Sequence, residues 1–270
     1  MLKVQYNKTG TILDAICEKK VDEIAEITQA QVDLWKVTYD GQSFGRNSRF
    51  AKAITRKVPG IIAEIKKGSP SEGIIRAELD VPFVARSYKT NGASAISIVT
   101  DKPFFHGDVS WIKLIKNEIS LPIIRKDFIL DEKQVYQSKD AGADAVLLIT
   151  GILEEAKLKA LYDLIYSLGM EALVEIHTEE ELKKALSIGA EIIGINNRNL
   201  KSFDVSTDTF TSLVKLIPDE KIVVAESGIH SQKDLLFMKE HGADAVLIGT
   251  HFMKAAEPGK ALAELMAVLV

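Results

Sequence analysis

Four stretches of the chain repeat one hydrophobic pattern: NGASAISIVTD (91–101), AGADAVLLIT (141–150), IGAEIIGINN (188–197) and HGADAVLIGT (241–250). In each, Gly-Ala and a polar or small residue precede an apolar run that ends in polar groups. A glycine directly after a helix is a common stop, because it takes up a left-handed backbone without strain. The run that follows is short and rich in Val, Ile and Leu, as expected of a strand covered on both faces. The pattern therefore predicts, four times, the end of a helix and the start of a buried parallel strand. The glycines, Gly92, Gly142, Gly189 and Gly242, are 50, 47 and 53 residues apart.

Four more apolar runs fall between them: IIAEI (61–65), LPIIRK (121–126), EALVEI (171–176) and KIVVAE (221–226). Helical patterns separate all eight, among them VPFVARSYKTN (81–91), LEEAKLKALYDLIYSLG (153–169), TEEELKKALSIG (178–189) and SQKDLLFMKEHG (231–242). Asp131, Thr178 and Ser231 stand where N-caps are expected, ahead of acidic or amide residues. Parallel strands joined by right-handed crossovers make either an open doubly wound sheet or a closed barrel. Eight near-equal units, repeating in pairs over 60–270, favour the α/β (β/α)8 TIM barrel. No GxGxxG follows the first strand, which counts against a dinucleotide fold. Before the barrel, TILDAICEKKVDEIAEI reads as an amphipathic helix and 29–38 as a second. Residues 1–59 are too few and too polar for a core of their own. They are expected to form an N-terminal helical extension packed on the barrel, with 1–270 as a single domain.

Composition narrows the partners. The net charge of −4, with both signs mixed along the chain, offers no basic patch for nucleic acid. No apolar run reaches the roughly 18 residues of a membrane span, and the N-terminus has no signal-peptide core. The single cysteine, Cys17, excludes an internal disulfide and is expected to pack in the extension. A cytoplasmic protein with neither nucleic-acid nor membrane partners is expected, a monomer rather than a dimer. The five histidines show no HxxxH or HxH spacing, so no metal site is expected. His177 reads as a solvated loop residue, and the Lys19–Lys20 pair as a solvated helix face.

In this fold the chemistry lies at the C-terminal ends of the strands. The odd strands end in charge: Glu64 and Lys66, then Lys126, then Glu175, then Glu226 with Ser227. The even strands end in neutral groups: Thr100, Thr150, Asn196 with Asn197, and Gly249 with Thr250. Alternate strands supply alternate interior layers, so the odd-strand charges are expected to face one another. Glu64 and Lys66, two apart, share a strand face. Crowded amines and carboxylates perturb one another's proton affinity, as acid–base work requires. Loops after strands 7 and 8 frequently bind phosphate in this fold. Here Gly228 and Gly249 would allow close backbone approach, Ser227 and Thr250 supply hydroxyls, and GSPSEG (68–73) adds a third small-residue loop. Phe104, Phe105 and Phe128, just past strands 2 and 3, suit an apolar wall for a ring. Arg198 reads as a rim charge or an anion ligand, and spacing does not choose between them.

At these strand ends the sequence resembles the indole-3-glycerol-phosphate synthase family of tryptophan biosynthesis. The resemblance is carried by AEIKKGSPSEG (63–73), TDKPFFHG (100–107), RKDFI (125–129), GADAVLLI (142–149), LGMEALVEIH (168–177), GINNRNLKSF (194–203), ESGI (226–229) and GTHFM (249–253), with ILDAICEKK in the extension. It implies closure of 1-(2-carboxyphenylamino)-1-deoxyribulose 5-phosphate to indole-3-glycerol phosphate, with loss of carbon dioxide and water and with no cofactor. By the resemblance, Lys126 is the general acid of ring closure and Glu175 the acid–base group of dehydration and rearomatisation. Lys66 pairs with the substrate carboxylate, while Glu64 and Asn196 position polar groups. Arg198, Ser227 and Glu226 belong to the substrate pocket; Ser69, Gly228, Gly249 and Thr250 to the phosphate clamp; Phe105, Phe128 and Leu147 to the seat of the aromatic ring. Whether Lys66 or Glu175 is the acid for dehydration stays open.

Two positions depart from the family's pattern. Asp108 stands where a small hydroxyl residue is expected, and repels an anionic substrate unless it caps the next helix. Gly68 replaces alanine or serine and is expected to loosen its loop. Two other readings compete: a barrel aldolase with Lys126 as a Schiff base, and a barrel that binds a sugar phosphate without catalysis.

Overall fold

The computed structural model describes residues 4–269 apart from 43, 46, 47 and 200. Residue 200 falls inside the GINNRNLKSF motif, and so lies outside the described residues. The extension forms α1 (Ile12–Glu26), α2 (Gln29–Tyr39) and a third helix, α3 (Arg49–Thr55). All eight expected strands follow: β1 (Gly60–Ile65), β2 (Ala95–Val99), β3 (Ile123–Lys126), β4 (Ala145–Ile149), β5 (Glu171–Ile176), β6 (Ile192–Asn196), β7 (Ile222–Glu226) and β8 (Ala245–Ile248). Each pairs in parallel with its neighbours in sequence and β8 pairs with β1, which closes a (β/α)8 TIM barrel. Between the strands run α4 (Val81–Thr90), α5 (Ser110–Lys116), α6 (Glu132–Ala141), α7 (Glu155–Ser167), α8 (Glu179–Ser187), α9 (Asp208–Leu213) and α10 (Gln232–Glu240). A short α11 (Thr250–Lys254) and then α12 (Pro258–Met266) follow β8.

The repeat has a structural basis at each of its positions. Gly92, Gly142, Gly189 and Gly242 all take positive φ, from 81° to 99°, as helix stops. In three of the four copies the polar residue two places later has a task that the sequence did not disclose. Ser94 Oγ accepts from Ile61 N at 3.3 Å, and the Asp144 and Asp244 carboxylates accept from Ile123 N and Val223 N at 2.8 Å each. It thereby ties the foot of an odd strand to the even strand that follows. Asp131, Thr178 and Ser231 cap α6, α8 and α10, each accepting a first-turn N–H.

The helix α3 was not expected, being short and without a side-chain cap. It stoppers the N-terminal end of the barrel with Phe50 and Ile54, both fully buried, and Phe50 N donates to Glu171 Oε2 at 2.6 Å. On α1, Lys19 is solvated as expected but Lys20 is not. The Lys20 side chain is 1% exposed, with Nζ 2.7 Å from Glu23 Oε2, 2.8 Å from Asp101 Oδ2 and 2.9 Å from Asp127 Oδ1. Asp127 also takes Arg125 Nη2 at 2.8 Å and the Thr100 hydroxyl at 2.6 Å. Lys20 lies four residues from both Ile16 and Ile24, in the middle of the buried stripe of α1. Its ammonium has therefore left water for a carboxylate cluster on the barrel. Cys17 packs beside it as expected, and burial pushes its thiol up to about 12.

Candidate active site

The odd strands deliver their terminal charges to one place at the C-terminal mouth. Lys126 Nζ lies 2.9 Å from Glu226 Oε2 and 3.3 Å from Glu175 Oε2. Lys66 Nζ lies 2.8 Å from Glu64 Oε1, and Asn196 Nδ2 donates to Glu175 Oε1 at 3.2 Å. Glycines on the even strands make the room. A Cβ on Gly194 would stand 2.2 Å from Glu226 Oε1, and one on Gly249 would stand 2.1 Å from Glu64 Oε1. Gly249 thus admits a carboxylate from the next strand as well as leaving its own backbone bare. Gly194→Ala is expected to push Glu226 off Lys126 and cost about 1–3 kcal/mol of stability, the usual scale of overpacking. Urea unfolding measures it, and a wild-type midpoint would show that the site has slack there.

The charges set one another's proton affinity. Burial works against the Lys126 ammonium, but Glu226 and Glu175 outweigh it and hold its pKa above the usual lysine range. Burial also raises Glu175, and here Lys126 and His177 prevail, so its pKa is lowered. For Glu226 burial wins over the pull of Lys126, and the group is pushed up to about 7. Two carboxylates on one ammonium are thereby driven apart, one ionised and one poised near neutrality.

These groups line one open cleft at the mouth of the barrel. Phe105 and Phe128, ring centroids 6.0 Å apart, form an apolar side with Leu147. Phe104 is half-buried against the core and does not line the cleft. Ser69, Ser227, Gly228, Gly249 and Thr250 line it too. Ser227 and Gly228 are consecutive left-handed residues, φ 66° and 81°. Such a conformation at a non-glycine persists only where its surroundings enforce it, often at functional sites. Arg198 also reaches the cleft, steadied by Nη1 donating to Phe203 O at 3.1 Å.

Three sequence expectations change here. His177 is not solvated: its side chain is 16% exposed, with Nε2 3.5 Å from Glu175 Oε1 and Nδ1 3.3 Å from Glu181 Oε2. Asp108 accepts from Ser110 N at 2.8 Å as α5 begins, and faces a second cavity rather than the cleft. Gly68 does not loosen its loop. Gly68–Ser69 pairs with Gly73–Ile74 as a small hairpin, and a Cβ at Gly68 would stand 2.6 Å from Gly73 O.

The cleft also has lining residues that were not anticipated. Ile12, Leu13 and Ile16 bring α1 into its wall, and His230 and His251 stand beside the loops after β7 and β8. The signal for α1 was present in its apolar stripe, which says that a face is buried but not against what. The histidines carried no spacing that would mark them.

The Indole-3-glycerol phosphate synthase family profile matches residues 13–265. The chain is 44% identical over 260 residues to indole-3-glycerol phosphate synthase of Albidiferax ferrireducens, covering 95% of this chain and 98% of that one. It is 49% identical over 208 residues to the protein of the same name from Caldanaerobacter subterraneus subsp. tengcongensis, covering 77% and 81%. Among solved structures it is similar to KGPDC from Streptococcus mutans, with a TM-score of 0.62 over 79% of this chain and 98% of that one. At 14% identity, that likeness speaks for the fold alone.

Proposed function

The chain belongs to the indole-3-glycerol phosphate synthase family, and from that premise we infer how its residues carry the reaction. The reaction is a carboxy-lyase step of tryptophan biosynthesis. The substrate 1-(2-carboxyphenylamino)-1-deoxyribulose 5-phosphate closes its second ring, loses carbon dioxide and water, and leaves indole-3-glycerol phosphate. The observation that carries the proposed roles is the Lys126 ammonium, held by Glu226 and Glu175 beside the Phe105–Phe128 slot.

In our reading the aromatic ring sits against Phe105, Phe128 and Leu147. The phosphate lies at Ser69, Gly228, Gly249 and Thr250, and Lys66, steadied by Glu64, takes the substrate carboxylate. The ring carbon bearing that carboxylate attacks the ketone carbon, and Lys126 gives a proton to the ketone oxygen, which becomes a hydroxyl. The carboxylate then leaves as carbon dioxide, and its bonding electrons return to the ring. Loss of water needs an acid for the departing hydroxyl and a base for the proton on the methylene carbon beside the nitrogen, whose loss makes the new ring aromatic. Glu175 is the base, since Lys126 and His177 keep it ionised, with no proton to give to a departing hydroxyl. Lys66, released once carbon dioxide has gone, is the acid. Asn196, Arg198 and Ser227 hold substrate oxygens, and Glu226 keeps Lys126 charged and aimed.

A Schiff-base lysine must first be neutral, whereas Lys126 faces two carboxylates that favour its charge. The aldolase alternative is disfavoured for that reason, and borohydride with substrate is expected to trap no adduct on Lys126. The non-catalytic alternative gives no reason for Glu64, Glu175 and Glu226 to line the cleft together. No helix among the described residues is long and apolar enough to cross a membrane. We take the protein to be one domain, working as a cytoplasmic monomer without a cofactor.

Growth of indole-3-glycerol phosphate fluorescence on adding the carboxyphenylamino substrate tests the activity; no product from folded enzyme would sink it. Glu175→Gln is expected to lower kcat by about 10²-fold or more, the scale of lost acid–base catalysis. Near-normal turnover would remove Glu175 from the mechanism.

A further inference from the structure

We propose that His177, oriented by Glu181, is a positioning residue that keeps Glu175 ionised and aimed at the substrate. It follows directly on β5, one residue beyond Ile176, and does not line the cleft. It therefore acts on the reaction only through Glu175. A single carboxylate holds it from behind. Glu181 Oε2 accepts the His177 backbone N–H at 2.6 Å and lies 3.3 Å from Nδ1. An ionised carboxylate only accepts, so Nδ1 carries a proton. Glu181 itself is fixed in the first turn of α8, its N–H bonded to the Thr178 hydroxyl at 3.2 Å. The loop after β4 leaves it room: a Cβ on Gly151 would stand 2.7 Å from Glu181 Oε1.

The other ring nitrogen points at the reaction. His177 Nε2 is buried, has no hydrogen-bond partner among the described residues, and lies 3.5 Å from Glu175 Oε1. A bare lone pair facing a carboxylate is repulsive, whereas a protonated Nε2 makes an ion pair. The charged groups around the ring decide between these. Glu175 on β5, Glu181 on α8 and Glu226 on β7 all favour the imidazolium, while Lys126 sits on the other oxygen of Glu175. Burial alone lowers the His177 pKa, yet these carboxylates raise it overall, while His177 in turn helps lower that of Glu175. Glu175 is then gripped on both oxygens, by Lys126 on Oε2 and by Asn196 and His177 on Oε1. A base held so loses little freedom on reaching its proton, and enters each turnover deprotonated.

The inference rests on Glu175 being the base. His177→Leu removes the charge, and Glu181→Gln leaves the ring while removing the anion that keeps it protonated. In both, kcat is expected to fall, by about 10-fold or more in His177→Leu, the scale on which outer partners of reacting groups act. KM stays near wild type because neither side chain lines the cleft. The acid limb of the kcat/KM profile is expected to move to higher pH in both, because Glu175 loses a neighbouring cation that held its pKa down. Should His177→Leu not fold, Glu181→Gln, near-isosteric and partly exposed, carries the test. An acid limb that stays in place in the folded variants overturns the inference, whatever happens to kcat. Failure of the underlying reading looks different, since Glu175→Gln would then turn over normally.

Discussion

Lys126→Met is expected to lower kcat by about 10²- to 10⁴-fold while the protein still folds. Methionine keeps much of the apolar stem that lies along β3, and loses only the ammonium. What remains is Glu175 and Glu226 in the same buried mouth with no cation between them. Two such carboxylates cannot both stay ionised, so they are expected to share a proton at neutral pH. The variant thus loses the acid of ring closure and weakens the base of rearomatisation together. Single-turnover fluorescence separates the two effects. Ring closure should become rate-limiting, and fast closure followed by slow release would shift the acid role away from Lys126.

Lys20→Met is expected to cost about 3–5 kcal/mol, the penalty for removing one partner of a buried charge cluster. Asp101, Asp127 and Glu23 would lose the ammonium that now sits within 3 Å of each. Arg125 still serves Asp127, but the carboxylates gathered behind β2 and β3 would be short of one cation. The linkage has a definite sign. Burial raises Asp127, but Lys20 and Arg125 overcome it and hold its folded pKa below the usual aspartate value. A depressed carboxylate stabilises the fold above its unfolded pKa, and that contribution fades as pH falls through the folded one. The Lys20→Met deficit should therefore be largest near neutral pH and shrink in acid. Urea midpoints across pH measure this, and a deficit that grows in acid would contradict the assignment.

The barrel was legible because its signal is repeated. One glycine, one polar residue and one apolar run recur four times, and each copy has the same physical cause, a helix stop followed by a strand buried on both faces. The odd-strand charges were legible for a similar reason: the fold dictates which strand ends face one another. What escaped was whatever depends on a contact between distant segments. Lys20 looked like any helix lysine, although its place between Ile16 and Ile24 should have told against solvent. His177 escaped for another reason: Glu175 and Glu181 are near it in sequence, but their spacing does not say that the ring is buried between them. The helix α3 carries no side-chain cap, and what holds it includes Glu171, far along the chain. Gly249 read as an anion glycine and Gly194 only as part of a strand, yet each leaves space for a neighbouring strand's carboxylate.

The placement of α1 has a consequence for how the protein becomes active. Ile12, Leu13 and Ile16 form part of the cleft wall, and Lys20 fastens the same helix to Asp101 and Asp127. Helix α1 therefore cannot take its place until β2 and β3 have been made and paired. A contact between segments so far apart carries the entropy of closing a long loop, and forms after local structure. A closed barrel on which α1 has yet to dock would have all its charged groups and an incomplete cleft. In refolding, recovered catalysis is then a later clock than recovered secondary structure, and the gap between the two times the arrival of α1.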